Sequence, residues 1–347
     1  SYHKALALAS VGDFEAADRV FSGDDNGPVQ QTRRGVMAWT QILSQIGEHD
    51  RAIGIIDDTF GTDPDPQVAD LRARIASKEL VPFDMVRNPQ DGVAEVFFSL
   101  ARALRQDAND EFVLLYARIA EAIRPDHVDA VITVAELLER MEQYELAIAA
   151  YKKVPREHPS FHVAELGRAE VLRRDDRPDA AIEVLDQLVQ TYPDLADVHI
   201  AAGDLYRTQE DYAKAVTSYD RAVELLEERD NSQWFVHYAR AISHERQDNW
   251  EEAEADFRRA LELNPGHPQV LNYLGYSMVE QRVNLDEALD MIERAVAEQP
   301  ESGYIVDSLG WALYRLGRYD EAIGHMERAA ELMPTDPVIN DHLGDVL

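Results

Sequence analysis

Cysteine is absent from all 347 residues. Disulfides and thiolate metal sites are therefore excluded, and the compartment stays open. No apolar run reaches the ~18 residues that a membrane-crossing helix needs. Lysine is scarce: Lys4, Lys78, Lys152, Lys153 and Lys214 are the whole set, and the other basic residues are arginine. The 34 basic residues face 66 acidic ones, for a net charge of -32. Phosphate recognition needs clustered Lys and Arg, so nucleic acid is not an expected partner. Nor is an anionic membrane surface, and direct membrane insertion is not expected of this segment. A self-repelling acidic surface is the simplest reading of the charge.

Motifs of catalysis are missing too. The chain has no His-Glu-x-x-His zinc pattern, no glycine-rich phosphate loop and no Gly-x-Ser-x-Gly elbow. Its 11 histidines are scattered. His158 and His267 sit beside prolines, where they are expected to cap or pack. His237 and His244 share a helix face without a nearby third ligand, which is weak support for a metal. Asp24-Asp25-Asn26-Gly27 lacks the ligand run and terminal Glu of a calcium loop. Glu227-Glu228 reads as solvated surface. No cofactor, no metal and no catalytic residue is expected.

What the chain does have is helical periodicity. Glycine (17) and proline (15) are modest, and Ala, Leu and Glu recur in blocks. In Gly303–Pro334, Ile305, Leu309, Ala312, Leu313 and Leu316 recur at helical spacing. Gly317 breaks the run. A second run follows through Ala322, Ile323, Met326, Ala329 and Ala330, and Pro334 stops it. Gly310, Ala322 and Ala329 are small, which predicts close approach of the two helices. So small a unit needs neighbours to bury its apolar faces.

Copies are found by following the small residue near the start of each second helix. These are Ala17, Ala52, Val113, Ala147, Ala181, Ala215, Ala253, Ala288 and Ala322, with gaps of 35, 61, 34, 34, 34, 38, 35 and 34. Leu309-Gly310, Leu313, Ala322, Met326, Ala329 and Pro334 form one copy, and Leu274-Gly275, Ala288, Ile292, Ala295 and Pro300 another. Ala253, Phe257, Ala260 and Pro265, then Gly203, Tyr206, Ala215, Tyr219 and Ala222, continue the series. This pattern resembles the tetratricopeptide repeat family. The resemblance implies an all-α fold, an α-α superhelix of about nine helix-turn-helix repeats.

Three regions are expected. Residues 1–66 hold looser pairs, 67–93 an extra helix (Gln67 to Glu79) and a proline-containing connection, and 94–347 the main array. The connection reads as a joint or as a decorated repeat. The 38-residue gap adds residues around Glu227–Trp234, and the 35-residue gap adds one near Arg282-Val283-Asn284. Ser1 starts inside a helical pattern, and Pro337–Leu347 opens like a further first helix. The native protein is therefore expected to extend on both sides, with any targeting signal outside this chain.

In such a superhelix the first helix of each pair lines the concave face. The resemblance thus places Phe235 and Tyr238, Asn272 and Tyr276, then Tyr304, Asp307, Trp311 and Tyr314, in a C-terminal groove, followed by Asp341 and Asp345. Aromatics with polar handles suit binding hot spots; packing between repeats is the alternative for these rings. The middle wall is Asp129, Ile132, Glu136, Leu166, Glu170, Arg173, Asp197, Ile200, Asp204 and Arg207. Phe98, Arg102 and Arg105 make the N-terminal end more basic. The Lys/Asn clamp for a peptide C-terminus is not present.

Leu271–Leu347, with NYLGYSMVEQ, DEALDMIERAV, DSLGWALYRLG and NDHLGDVL, is similar to the C-terminal repeats of secreted bacterial tetratricopeptide proteins, outer-membrane lipoproteins included. That resemblance implies a periplasmic or outer-membrane-anchored adaptor between a protease or assembly complex and its substrates. A cytoplasmic setting is the alternative. The expected function is a non-enzymatic scaffold binding a protein or peptide partner in its groove. The competing readings are the repeat region of a larger enzyme, such as a glycosyltransferase, and a self-assembling homo-oligomer.

Overall fold

A computed structural model describes residues 2–23, 32–61, 65–226 and 233–347. These residues form twenty α-helices and no strand. They divide into two compact units, Ser1–Leu188 and Val189–Leu347.

The first unit opens with α1 (Tyr2–Ser10), α2 (Phe14–Ser22), α3 (Arg33–Gln45), α4 (His49–Phe60) and α5 (Pro66–Ala76). It continues with α6 (Pro89–Leu104), α7 (Asp110–Ile123), α8 (Val128–Arg140), α9 (Tyr144–Tyr151), α10 (Phe161–Arg174) and α11 (Pro178–Thr191). In the second unit lie α12 (Ala196–Thr208), α13 (Tyr212–Leu225), α14 (Trp234–Glu245), α15 (Trp250–Leu263) and α16 (Pro268–Gln281). The last four are α17 (Leu285–Glu298), α18 (Gly303–Arg315), α19 (Tyr319–Leu332) and α20 (Pro337–Val346). Nine helix pairs result, with α5 and α20 left over.

The marker residues set these pairs. All nine, from Ala17 through Val113 to Ala322, are fully buried. Facing glycines bring the paired axes together. A Cβ on Gly203 would come within 2.6 Å of the Tyr219 ring, and one on Gly310 within 2.9 Å of Met326. The turn is regular in seven of the nine pairs. Five residues before the marker alanine the backbone is left-handed: glycine at Gly12, Gly47 and Gly317, but Glu142, Asp176, Glu210 and Asp248 elsewhere. The extra residue before Ala288 splits that turn into two left-handed positions, Arg282 and Asn284.

Asp13, Asn88, Asn109 and Asp211 start their helices by accepting a backbone N–H with the side chain. The expected helix at Gln67–Glu79 is α5, which stops sooner because Lys78 turns left-handed at φ 61°. The connection after it is no free joint. Val81, Met85 and Val86 are buried with Val68, Leu71 and Ile75 against Ala38, Ile42 and Leu43. Ser44 Oγ donates to the Glu79 carbonyl and accepts the Val81 N–H, both at 2.9 Å. Residues Val68 to Val86 thus contribute to the N-terminal core. Residues 227–232 of the addition expected around Glu227–Trp234, and the sequence Asp24–Gly27, lie outside the described residues.

Candidate functional site

In the first unit, first helices of three pairs line one cleft. α6 supplies Phe98 and Arg102, and Arg105 caps its C-terminal end; α8 supplies Asp129, Ile132, Thr133 and Glu136, and α10 supplies His162 and Val163. Arg33 and Arg34 of α3 and the α5 cap Asp65 also line it. The cleft holds about 360 Å³. Phe98 and Ile132 are buried in its floor, and Val163 is exposed at its rim.

Its charges are mostly matched. Arg33 Nη2 lies 2.8 Å from Asp65 Oδ1, and Arg105 Nη2 lies 2.7 Å from Glu136 Oε2. Arg34 Nη2 reaches Glu95 Oε2 at 2.6 Å, its Nη1 pairs with Asp129, and its guanidinium sits 5.5 Å from the centre of the Phe98 ring. The guanidinium of Arg102, exposed in the same cleft, makes no hydrogen bond or ion pair among the described residues. Four carboxylates, Asp65, Glu95, Asp129 and Glu136, thus engage three of the four arginines, Arg34 taking two of them, and Arg102 is the arginine left without a carboxylate partner among the described residues.

Beneath the cleft a buried network fixes the wall. Glu95 accepts from the Tyr2 hydroxyl at 2.9 Å and bonds His127 Nε2 at 3.2 Å. His127 Nδ1 accepts the Ala130 N–H at 3.2 Å as the cap of α8, so Nε2 is the donor to Glu95. Burial pushes the Glu95 carboxyl up, but the His127 hydrogen bond and the Arg34 charge outweigh it and hold the group below the usual range. Burial likewise disfavours the Arg34 cation, and Glu95 and Asp129 outweigh that, raising its pKa.

In the second unit the sequence-named positions do not form one open aromatic wall. Phe235 is 41 % exposed and Tyr304 58 % exposed. With Gln269 between them and Val338 beyond, they occupy one position of successive first helices, and all four are exposed. Tyr238 is half-buried, its ring about 6 Å from those of Trp234, Phe257 and Tyr273. That burial, then Tyr273, pushes its hydroxyl up to about 12. Tyr276 is also pushed up to about 12, by burial and then by Glu280 and Asp307. Asn272 is half-buried, and its Oδ1 has no donor among the described residues.

Asp307 departs furthest from the expected groove position. It is only 5 % exposed, because α20 covers it and His342 Nδ1 bonds its Oδ2 at 2.9 Å. The His342 ring stacks on Trp311 at 4.1 Å. Trp311 Nε1 donates to Glu280 Oε1 at 2.7 Å, and Arg315 binds the same oxygen at 2.8 Å. Tyr314 lies between Trp311 and Tyr319, at 5.2 Å and 5.5 Å. Asp341 and Asp345 remain exposed.

The histidines pack and cap. The His267 ring packs at a tilt against Trp234, centroids 4.1 Å apart, and His158 Nδ1 accepts the Ser160 N–H at 3.1 Å. His237 bonds Asp256 at 3.1 Å, beside Arg240. Among the described residues no three His, Asp or Glu side chains gather as a metal site.

The family model for the tetratricopeptide repeat matches residues 99–347. The chain belongs to the tetratricopeptide repeat family. It is 26 % identical over 186 residues to TPR repeat-containing protein PA4667 of Pseudomonas aeruginosa, covering 53 % of this chain and 31 % of that one. The chain thus spans less than a third of that relative's length. Among solved structures it is similar to a tetratricopeptide repeat protein from Parabacteroides merdae, with a TM-score of 0.56 at 14 % identity over 73 % of this chain and 98 % of that one. It is also similar to PilW, a type IV pilus biogenesis factor, with a TM-score of 0.54 at 20 % identity over 63 % and 97 %. Both likenesses are of fold.

Arg33 and Arg34 were not legible as cleft residues. They lie outside the regular array, and only the docking of α3 beside α6 and α8 brings them in. Phe98, Arg102, Arg105, Asp129, Ile132 and Glu136, by contrast, were all named from repeat position alone.

Proposed function

We propose that this tetratricopeptide repeat protein is a non-enzymatic scaffold that binds an extended segment of a partner protein along its first helices. The observation that carries this is the cleft of the first unit, where an unpaired Arg102 stands beside the apolar Phe98, Ile132 and Val163. A guanidinium without a carboxylate favours a segment carrying an acidic group next to an apolar side chain. Peptide display on the immobilised chain tests this. Enriched sequences are expected to pair Asp or Glu with an apolar residue, and Arg102→Glu is expected to abolish that enrichment.

A second contact surface is favoured by the exposure of Phe235 and Tyr304 at the same position of first helices two repeats apart. Tyr304→Ala and Phe235→Ala are exposed changes and would reduce partner capture without unfolding the chain. The resemblance of Leu271–Leu347 to secreted bacterial repeats favours a cell-envelope adaptor; fractionation of the full gene product tests that setting. A flanking catalytic domain in the full reading frame would instead favour the larger-enzyme reading.

A further inference from the structure

Within each unit, successive pairs cover one another. The second helix of one pair packs on the first helix of the next: α2 on α3, α7 on α8, α9 on α10, α13 on α14, α17 on α18 and α19 on α20. α6 departs from this scheme. Its predecessor α5 packs on α3 and α4, and α6 itself is joined by α7 and, on its Glu95 side, by α1.

The face left over is apolar. Val93, Val96 and Leu100 on α6, with Phe112 and Leu115 on α7, are between 40 % and 53 % exposed. Phe97 and Tyr116 lie between them, their rings 6.2 Å apart, and Tyr116 meets Phe112 edge-on at 5.1 Å. On α6 these residues recur at i, i+3, i+4 and i+7, the spacing of a buried helix stripe. They stand opposite Glu95 and Arg102 on the same helix, so this face is not the cleft. Isolated surface leucines mean little, but five large apolar side chains on one helix pair mark a docking surface.

We propose that the outer face of α6 and α7 docks an amphipathic helix from a partner protein, seated where the second helix of a preceding pair would lie. That helix carries basic residues beside its apolar stripe. At the α6–α7 turn, Asp107 and Glu111 are exposed and make no ion pair among the described residues. The chain's charge of -32 opposes a second copy and an anionic membrane at this face, and attracts a basic helix. The mode is a helix laid into an apolar groove between two others.

The probe is a synthetic peptide of about eighteen residues, with Leu at helical spacing and Lys on both flanks. Two controls are a peptide of the same composition with the period scrambled, and one with Glu in place of Lys. Affinity is read by fluorescence anisotropy and the site by hydrogen exchange. The periodic Lys peptide is expected to bind, to weaken with salt, and to protect Val93–Leu104 and Phe112–Ile119. Leu100→Lys with Leu115→Lys is expected to weaken it about tenfold or more. Leu100→Ala with Leu115→Ala is a milder variant should the first one misfold. Arg102→Glu is expected to leave this binding intact, which separates it from the cleft. Equal binding of the scrambled peptide, or no effect of either leucine pair, would overturn the proposal. So would a leucine-dependent dimer in sedimentation or leucine-dependent binding to anionic vesicles.

Discussion

His342 lies on Trp311 with ring centroids 4.1 Å apart and planes 16° from parallel. The same imidazole bonds Asp307 at 2.9 Å. One residue of α20 therefore occupies both an aromatic face and a carboxylate that repeat position had assigned to a partner.

This contact is pH-dependent. The Asp307 hydrogen bond raises the His342 pKa against burial, and the charges of Asp307, Asp341 and Asp345 add to the rise. A raised histidine contributes its stabilisation fully below the unfolded pKa, near 6.5, and loses it as pH rises through the higher folded value. An NMR titration of His342 is expected to give a value above the ordinary one in the wild type and a lower one in Asp307→Asn. An identical titration in both proteins would remove Asp307 as the cause.

Gly203 and Gly310 occupy equivalent positions against unlike neighbours. The Tyr219 ring facing Gly203 is fully buried, and its hydroxyl is tied to Asp204 at 2.7 Å. Met326 facing Gly310 is flexible. Gly203→Ala is expected to destabilise by about 1–3 kcal/mol through overpacking. Gly310→Ala is expected to cost less, because the flexible Met326 side chain can move aside where the tied Tyr219 ring cannot; the gain in helix propensity is common to both. Denaturant melts of the two variants give the order directly.

Glu95 joins α1, α3 and the cap of α8 through Tyr2, Arg34 and His127. Glu95→Ala leaves Arg34 with Asp129 alone and removes the partner of Tyr2 and His127, and is expected to cost about 3–5 kcal/mol. Hydrogen exchange should rise in α1, α3, α6 and α8 and stay unchanged in α14 to α19. The depressed Glu95 pKa means its stabilisation is complete above the unfolded carboxylate value and is lost only as pH falls through the lower folded one. Acid unfolding of the first unit is accordingly expected at higher pH in Glu95→Gln than in the wild type.

Glu210 is left-handed at φ 61°, at the turn position that Gly12, Gly47 and Gly317 fill elsewhere. Its strain is relieved by glycine, partly offset by the freer unfolded chain. Glu210→Gly is expected to raise stability by about 0.5–1 kcal/mol. A fall in the melting temperature would show that the Glu210 side chain contributes more than its backbone costs.

Repeat position carried much of this structure, for a physical reason. Ala17 to Ala322 recur because each must lie between two closely packed helices, and that local demand is written at each copy. The extra residue before Ala288 was placed correctly at Arg282–Asn284, where the turn absorbs it. Long-range docking leaves no such mark. Nothing periodic announces that Arg34 pairs with Glu95 across 61 residues, or that Val81 and Met85 pack on Ile42. Asp307 was misassigned to an open wall because its helix position is outward in a single repeat and inward once the next helix covers it.

Capture of partner segments at Arg102 bears most directly on the proposed function. Display selection should be run in parallel on the wild type, on Arg102→Glu, and on Tyr304→Ala with Phe235→Ala. Selected segments are expected to join an acidic group to an apolar residue on the wild type and to lose that signature on Arg102→Glu, with circular dichroism unchanged. The same segments enriched equally on all three proteins would contradict binding along the first helices.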